Sequence, residues 1–404
     1  MAKHLWIINE YAGSPYHGMT YRHYYLAKAL IKQGYEVSII TSAYSHLLLK
    51  KPSLGDDFIT EEWIDGIRYC WIKMPSYEGA RSLKRVLNWF LFAAKVLWLR
   101  FRMSHKPDAI LVSSLPLHPI VSGFLLAKFY GAKLLFEVRD LWPLSAMELG
   151  GYSSKHPFIW HLQWLEDFAY KHASKVISLL PHAYEYMQTR GLEKEKFIYL
   201  PNGVDTTRVG LKQEEIKGAL PSLPKDAFIV GYTGTLGHAN ALEYLIEAAR
   251  LISEPSIVIV IVGEGVEKAS LMKQAEGISS ILFLPSIEKS LIPQMLARFD
   301  VCYIGWRKCG LYRYGVSANK LFDYMLAQKP IVHSMDEHND IVSEAQCGVR
   351  VDAQDPQAIA RGIMELFALS YEERAVYGKN GKAYVLEHHS YDVIAKRLAG
   401  ILEC

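Results

Sequence analysis

The sequence predicts an α/β protein built from two Rossmann-like, doubly wound domains in tandem. Short apolar runs alternate with helix-period segments along the whole chain, and one stretch rich in Pro, Gly, Lys and Glu, residues 201–226, interrupts the alternation. Strands that alternate with helices form parallel sheets through right-handed crossovers. The length of 404 residues agrees, because single hydrophobic cores rarely grow beyond about 300 residues.

The first domain is predicted to span residues 1–205. Its expected strands are Leu5–Ile8, Val37–Thr41, Ala109–Ser113, Lys133–Val138, Lys175–Leu179 and Lys196–Leu200. Its expected helices include Tyr21–Gln33, Ile120–Tyr130 and His161–His172. The order strand, helix, strand favours a parallel sheet with helices on both faces.

The second domain is predicted to span residues 206–385. Its expected strands are Phe228–Tyr232, Ser256–Val262, Ile281–Leu284, Val301–Ile304, Pro330–His333 and Gly348–Val351. Residues 355–404 are expected to be helical, and the last part, residues 386–404, to form a helix that crosses back to the first domain. The default ligand site of such a protein is the cleft at the carboxyl edges of its sheets.

The composition narrows the class of protein. Half of the residues are apolar and 22% are charged, which is typical of a globular protein, and a net charge of +3 gives no indication of a nucleic-acid partner. The five cysteines are scattered without a C-x-x-C pair, which argues against zinc and favours a reducing compartment. We expect the first apolar run to be a buried strand and not a signal peptide, because a polar loop follows it at once. We therefore predict a cytoplasmic location.

Residues 317–330, SANKLFDYMLAQKP, predict a loop that leads into a helix and stops at a proline. The free N–H groups and the dipole at a helix amino terminus favour an anion. Lys320 adds a positive charge in the first turn, close to Ser317 and Asn319, and Asp323 places a carboxylate behind it. A phosphate in front and hydroxyl groups behind describe a nucleotide-sugar. The alternative is an ordinary capped surface helix.

Two segments of the first domain follow predicted strands. Residues 9–19 hold Gly13 and Gly18, which let a backbone approach a ligand closely, but they are not G-x-G-x-x-G, so a dinucleotide oxidoreductase is disfavoured. Arg139 and Asp140 come directly after an apolar run. This position favours contact with a ligand, and a structural ion pair is the alternative.

The order of the remaining loops carries a resemblance. The turn Pro201-Asn202-Gly203-Val204-Asp205 and the loop Tyr232-Thr233-Gly234-Thr235-Leu236-Gly237 are followed by the phosphate-site helix. Over essentially the whole chain this order resembles the retaining GT-B glycosyltransferases of family 4. The segments Arg139–Pro143 and Tyr21–Tyr25 are most similar to the branch that builds bacterial O-antigen, capsule and related polysaccharides.

The resemblance implies roles for individual residues. Arg139 and Asp140 would lie at the reacting centre. Asp323 matches the second acid of the family's E-x7-E element, which binds the ribose, whereas the first acid would fall at Gly315 and is missing. No Arg or Lys stands in the T-G-x-L loop or directly after it. We therefore expect Lys320, with the backbone of residues 317–319 and either Arg139 or Arg307, to compensate the negative charge of the diphosphate. The further substrate-binding candidates are Gly13, Gly18, Thr235, Gly237, His238, Gly263, Ile287, Ser317 and Asn319.

The predicted activity is metal-independent, retaining hexosyl transfer from a nucleoside-diphosphate sugar, with a UDP-sugar favoured. No D-x-D element occurs in a suitable loop and no cofactor is expected. The acceptor is expected to be a lipid-linked sugar or a glycan in the synthesis of O-antigen, capsule or lipopolysaccharide. Two alternatives stay open: a nucleotide-sugar 2-epimerase, and a non-catalytic subunit of a membrane glycan-assembly complex.

Residues Arg81–Lys106 hold seven Lys or Arg and no Asp or Glu, interleaved with Trp, Phe, Leu and Val. Asn88 and Lys95 interrupt the apolar run, which is too short to span a bilayer. A basic, aromatic helix suits an anionic membrane surface, and this predicts a peripheral protein at the inner face of the cell membrane. The alternative is a core helix with a solvated basic edge.

Overall fold

We describe a computed structural model of the protein, covering residues 3–55, 57–79, 82–103, 105–206, 220–336 and 340–403. The chain divides into two compact units. The first unit consists of Met1–Gly203, Arg313–Ser317 and Tyr391–Cys404, and the second of Val204–Tyr312 and Ala318–Ser390. Each unit is built around one sheet, which confirms the predicted pair of α/β domains.

The strands of the first unit are β1 (His4–Ile8), β2 (Glu36–Ser42), β3 (Ile59–Ile64), β4 (Ile67–Ile72), β5 (Ala109–Ser113), β6 (Lys133–Val138), β7 (Lys175–Ser178) and β8 (Phe197–Tyr199). Their order in the sheet is β3-β4-β2-β1-β5-β6-β7-β8. Each neighbouring pair is parallel except β3 and β4, which are antiparallel. The helices that follow these strands are α1 (Arg22–Ile31), α2 (Leu83–Leu97), α3 (Pro119–Tyr130), α4 (Leu144–Glu148), α5 (Pro157–His172) and α6 (Tyr184–Met187).

The second unit has six parallel strands, β9 (Phe228–Thr233), β10 (Ile257–Val262), β11 (Ile281–Leu284), β12 (Val301–Gly305), β13 (Ile331–Ser334) and β14 (Gly348–Val351). Their order is β11-β10-β9-β12-β13-β14. The helices are α7 (Leu242–Leu251), α8 (Lys268–Gln274), α9 (Ile292–Ala297), α10 (Asn319–Leu326), α11 (Ile341–Glu344), α12 (Pro356–Ala368) and α13 (Tyr371–His389). The final helix, α14 (Tyr391–Glu403), belongs to the first unit.

The first sheet is buried on both faces, as a parallel sheet requires. Side chains along β1 alternate between two hydrophobic clusters: Trp6 and Ile8 pack with α2, α3 and α5, while Leu5 and Ile7 pack with α1 and α14. Helix α14 is held against α1, where the ring of Tyr391 stacks on that of Tyr25 at 5.2 Å. The last helix therefore completes the core of the first unit.

Sequence analysis missed the hairpin formed by β3 and β4. The polar residues of β3 hide its strand pattern, and its outer face is exposed at Trp63. The sequence signal that could have revealed it is the pair Asp65-Gly66, since Asp-Gly favours a two-residue type I′ hairpin turn. In the structure these residues have the positive φ angles that this turn requires, 49° and 81°.

The expected domain boundaries also differ from the observed units in three places: residues 204–205 and 386–390 cluster with the second unit, and residues 313–317 with the first. Arg313–Ser317, expected in the second domain, clusters with the first unit because Tyr314 is buried in its core and Tyr314 O accepts from His182 N at 3.1 Å. Half of the predicted linker, residues 207–219, lies outside the described residues.

Candidate functional site

The loops that follow β9 and β10 interlock at the carboxyl edge of the second sheet. The N–H of Gly234 donates to Val262 O at 3.0 Å, and that of Leu236 donates to Glu264 O at 2.9 Å. A Cβ atom at Gly263 would lie 1.9 Å from Gly234 O, so only glycine fits there without moving the β9 loop. The two loops are therefore held together as one surface.

Lys320, in the first turn of α10, places its ammonium group beside this surface. Its Nζ donates to Tyr232 Oη at 2.6 Å and to Asn240 Oδ1 at 2.8 Å, and it lies 4.4 Å from the centroid of the Tyr232 ring. A Cβ atom at Gly234 would be only 3.1 Å from Nζ. Burial lowers the pKa of Lys320 to about 7, and no carboxylate of the described residues pairs with it. An anion at this point would offset the cost of burying the charge.

Tyr324 fixes α10 against β9. Its buried hydroxyl accepts from Thr233 N at 2.9 Å and donates to Thr233 O at 3.2 Å. The helix begins after Ala318, and no described side chain caps its amino terminus. The first-turn N–H groups and the charge of Lys320 are thus presented at the same edge of the sheet, where both favour an anion.

Asp323 follows Lys320 by one turn of α10 and is half-buried. Burial raises its pKa to about 6, the carboxylate of Asp205 adds to this rise, and Lys289 opposes it. At neutral pH the side chain is therefore mostly a carboxylate, which accepts hydrogen bonds from hydroxyl groups. Asn319, between the loop and Lys320, is exposed.

The segment after the β9 loop carries His238, whose side chain is exposed at the start of the short 3₁₀ helix His238–Asn240. Arg307, in the loop after β12, donates from Nε to His238 O at 3.1 Å and pairs through Nη2 with Glu243. Because Glu243 already compensates the positive charge of the guanidinium, we assign Arg307 a structural role in fixing this segment. Of the two second-unit cations considered from the sequence, Lys320 and Arg307, Lys320 then remains the candidate for binding the phosphates.

The other predicted residues of the second unit lie in the same set of loops. Thr235 is exposed, and its carbonyl accepts from Asn240 Nδ2 at 3.0 Å and from Tyr232 Oη at 2.8 Å. Gly237 is half-buried beside Asn240, and Ile287 is half-buried in the loop after β11. Asn240 thus joins the β9 loop to Lys320.

In the first unit, the loop after β1 folds back on itself. Gly13 N donates to Thr20 O at 2.9 Å, and a Cβ atom at Gly13 would lie 1.8 Å from Gly18 O. Gly18 has a φ of 89°, which disfavours other residues. Both glycines are explained by the closure of the loop, and nothing in their geometry requires a ligand.

Arg139 and Asp140 lie at the carboxyl end of β6. Arg139 is half-buried, its N–H donates to Ser114 Oγ at 3.0 Å, and its Nη1 approaches Thr20 Oγ1 at 3.5 Å. Asp140 is exposed. The loops after β1, β5 and β6 are thus brought together around Arg139.

A buried ionic network supports these loops from below. Glu137, the one charged residue in the interior of β6, accepts from Arg22 Nε at 2.9 Å and from Ser113 Oγ at 2.6 Å, and its other contact is His23 Nε2 at 2.9 Å. These partners hold the pKa of Glu137 well below its usual range despite its burial. Arg22 also donates to Pro201 O at 2.6 Å, which ties the turn at residues 201–203 to α1.

Glu10, in the loop after β1, is fully buried, and neither carboxyl oxygen has a hydrogen-bond partner among the described residues. Burial raises its pKa to about 8, and the charge of Arg85 lowers it only in part. The carboxyl group is therefore mostly protonated at neutral pH. Sequence analysis did not single out this residue.

Comparison with known families decides the class of the protein. Residues 17–203 match the family described as "Glycosyl transferase 4-like domain", and residues 227–368 match "Glycosyl transferases group 1". The chain belongs to the family 4 glycosyltransferases with the GT-B fold. The resemblance inferred from the order of the loops is thereby confirmed.

Known proteins agree with this assignment. The glycosyltransferase is 26% identical over 295 residues, 70% of its length and 71% of the relative's, to WcaI of Escherichia coli K12, named as a candidate colanic acid biosynthesis glycosyl transferase. It shares the fold of sucrose-phosphate synthase from Thermosynechococcus elongatus, with a TM-score of 0.72 and 17% identity over 99% and 98% of the two chains. It also shares the fold of HepE from Anabaena in complex with UDP and glucose, with a TM-score of 0.64 and 15% identity over 99% of each chain.

The structure gives a physical reason why this glycosyltransferase lacks an acid at Gly315. The residue has a φ of 100°, and a Cβ atom there would lie 2.5 Å from Cδ of Pro181. A glutamate would therefore strain the backbone and collide with the proline ring. Nearby, Ser317 Oγ accepts from Asn202 N at 3.1 Å, and its carbonyl accepts from Asn202 Nδ2 at 2.9 Å. The side chain of Ser317 thus binds the backbone of the turn at Asn202.

Two partners of Lys320 were missed from the sequence. Tyr232 and Asn240 precede it by 88 and 80 residues, so no local pattern links them to the lysine. The signal for Glu137 was stronger, because a single carboxylate inside the apolar run Lys133–Val138 requires a buried partner. Arg22 and His23, quoted for the resemblance, are those partners.

Proposed function

We propose that this glycosyltransferase moves a hexose from a nucleoside-diphosphate sugar, with a UDP-sugar favoured, to a lipid-linked or glycan acceptor, and that the transfer retains the anomeric configuration and needs no metal ion. The observation that carries the proposal is the Lys320 ammonium, held by neutral groups beside the interlocked β9 and β10 loops. The name of HepE's complex, with UDP and glucose, supports the choice of donor.

The chemistry follows from the charges at this edge of the second sheet. When the bond between sugar and diphosphate breaks, negative charge develops on the leaving phosphate. An ammonium group and helix N–H groups that are already in position stabilise that charge without reorganisation. Asp323 would accept hydrogen bonds from the ribose hydroxyls, and His238 would add a donor beside the phosphates. In the first unit, Arg139 and Asp140 would contact the sugar and orient the acceptor hydroxyl.

The proposed setting is the synthesis of a bacterial surface polysaccharide such as O-antigen, capsule or lipopolysaccharide. WcaI, the relative described above, is named for colanic acid biosynthesis, which supports this setting. The test is direct: with a UDP-sugar and lipid-linked acceptors, the protein must release UDP and form a glycosidic bond. An epimerase would instead isomerise the sugar without an acceptor, and a non-catalytic subunit would leave the donor unchanged.

We also propose that the first unit binds the inner surface of an anionic membrane. Helix α2 buries Trp89, Phe92 and Val96, as the alternative of a core helix predicts, but its outer side exposes large apolar residues. Together with the following 3₁₀ turn and with α3, it forms a surface that we call the apolar face: Leu83, Leu87, Phe90, Trp98, Phe101, Leu125 and Phe129. Arg81, part of the predicted segment, lies outside the described residues.

The positive charge of the segment that carries the apolar face favours an anionic partner. Between Glu78 and Glu137 the sequence holds nine Lys or Arg residues, and Asp108 is the one acid. Lys84 and Arg100 are exposed beside the apolar side chains. Within the described residues no helix is long and apolar enough to cross a bilayer. Exposed aromatic groups beside the cations Lys84 and Arg100 suit the headgroup region of an anionic bilayer.

Reversing two of these charges tests the membrane proposal. We expect the double variant Lys84→Glu, Arg100→Glu to lose at least about tenfold in affinity for vesicles containing phosphatidylglycerol, since each basic residue near such a surface contributes about 1 kcal/mol. Co-sedimentation with vesicles measures this. The matched control is Lys273→Glu, Lys379→Glu, which changes the net charge equally at exposed positions of the second unit. Equal loss in both variants, or none in the first, would contradict a role for the apolar face.

A further inference from the structure

A pocket of about 460 Å³ opens in the first unit between α4, α5 and the segment from α6 to Arg190. Its lining includes Trp160, Gln163 and Tyr186, together with Ser154 and Thr189. Nothing in the candidate site described above uses these residues. The pocket is therefore a separate feature of the first unit.

The fold places this pocket near the carboxyl edge of the first sheet. Helix α5 ends at the amino edge, where Ser174 N donates to Leu134 O at 2.8 Å near the start of β6. The opposite end of α5, which carries Trp160, therefore lies toward the carboxyl edge. The helix α6 follows shortly after the carboxyl end of β7 and reaches the pocket from the same edge. Arg139 and Asp140 follow β6 there.

The polar wall of the pocket is fixed by two carboxylates behind it. Glu166, 1% exposed, accepts from Gln163 Nε2 at 2.6 Å and from Tyr186 Oη at 2.9 Å. Asp167 accepts from Gln163 Nε2 at 3.0 Å and from two nitrogens of Arg190, Nε at 3.0 Å and Nη2 at 2.5 Å. The Gln163 amide nitrogen thus donates to oxygens of both carboxyl groups. Among the described residues its carbonyl oxygen has no hydrogen-bond donor, so it can accept from a ligand.

The charge of the pocket argues for a neutral ligand. Arg190 is the cation of its lining, and Asp167 already binds it through two nitrogens. A phosphate would have to compete with that carboxylate. The pocket offers instead a fixed amide oxygen, the hydroxyl group of Ser154, a remaining guanidinium N–H and the hydroxyl oxygen of Thr189, whose hydrogen is donated to Tyr186 O at 2.7 Å. These groups include both acceptors and donors.

The indole of Trp160 supplies the apolar part. It is 65% exposed, although it lines the pocket. A sugar ring has one face of C–H groups, which packs on a flat aromatic ring, and a rim of hydroxyl groups, which donate and accept hydrogen bonds. The combination of an exposed indole with fixed polar groups fits that geometry.

We propose that this pocket binds a neutral saccharide unit of the acceptor. The assignment to an acceptor rests on the proposed glycosyl transfer, whereas saccharide binding by the pocket does not. The pocket would hold a sugar of the growing glycan near the loop of Arg139 and Asp140. Loss of the pocket would lower the affinity for the acceptor and leave the affinity for the donor unchanged.

The test is saturation-transfer difference NMR with four neutral disaccharides: lactose, cellobiose, maltose and mannobiose. We expect the wild-type protein to bind at least one of these disaccharides. The substitution Trp160→Ala should lower the affinity for it about tenfold or more, and Trp160→Phe should retain part of the affinity. The matched control is Trp164→Ala, which removes another exposed tryptophan of α5 that packs on Phe168 and lies outside the pocket lining. We expect its binding to stay within about twofold of wild type.

Failure of the pocket and failure of the proposed activity give different results. Absence of saturation transfer to all four disaccharides, or equal binding by Trp160→Ala and the wild type, would overturn the pocket proposal even if sugar transfer is observed. Binding that depends on Trp160 supports the pocket even if no transfer is found. With transfer, Trp160→Ala should raise the acceptor KM about tenfold and leave the affinity for UDP-glucose unchanged, as an acceptor subsite requires.

Discussion

The variant Lys320→Ala should lose at least about a hundredfold in the rate of sugar transfer. Removal of one preorganised donor from a developing negative charge typically costs 10²–10³ in kcat. Lys320 lies beside the β9 loop, which interlocks with the β10 loop, and Arg307, the other cation considered in the second unit, is paired with Glu243. Release of UDP from a UDP-sugar, coupled to formation of the glycosylated product, measures the rate.

The lysine prediction has a matched control in the same unit. Lys308 is an exposed lysine after β12 that pairs with Asp336 at 3.2 Å, and Lys308→Ala should transfer sugar within about twofold of wild type, as expected for a surface ion pair. Lys320→Arg, which keeps the charge, should recover part of the activity. If Lys320→Ala transfers sugar as fast as the Lys308 control, the phosphate role of Lys320 is wrong.

The affinity for UDP-glucose should pass through a maximum between about pH 6 and pH 7. Lys320, with a pKa of about 7 in the free protein, is charged below that pH, and a bound anion favours the charged form. Above pH 7 binding must therefore take up a proton, and affinity should fall by up to about tenfold per pH unit. Asp323, with a pKa of about 6, loses its charge below that pH, so hydroxyl binding should weaken on the acid side.

Isothermal titration between pH 5 and pH 9 measures this profile. UDP-glucose is the right probe because its diphosphate does not titrate in this range, unlike the terminal phosphate of UDP. In Lys320→Arg the alkaline fall should be largely absent, since arginine stays charged throughout. In Asp323→Asn the acid fall should be absent and the maximum affinity lower. A wild-type affinity that is constant from pH 7 to pH 9 would contradict the contact between Lys320 and the diphosphate.

Much of the fold could be predicted because the strands of a parallel sheet are short, continuous apolar runs. The limits expected for the runs beginning at Ala109, Lys133 and Ile281 agree with the observed strands to within one residue. The β3–β4 hairpin was missed because β3 is an edge strand with polar residues, and an edge strand need not be apolar. The place of residues 313–317 was missed because it depends on tertiary contacts of Tyr314 and Gly315.

The candidate site could be predicted as a set of loops but not as a set of contacts. Chain order placed Thr235, Gly263 and Lys320 at strand ends or a helix start, and parallel strands bring such ends to one edge. Sequence did not reveal that Tyr232 and Asn240 hold the lysine, or that burial lowers its pKa. Those facts depend on packing between residues far apart in the chain. The pocket beside Trp160 was missed for the same reason, since its lining comes from three helical segments.

The anomeric configuration of the product tests the central claim most directly. With a UDP-α-hexose and lipid-linked acceptors, proton NMR during the reaction distinguishes a new α-glycosidic bond from a β-bond, from free sugar and from an epimerised donor. Retaining transfer predicts an α-linked product that accumulates in step with released UDP. A β-linked product, or an isomerised donor with no new glycosidic bond, would contradict the proposed activity.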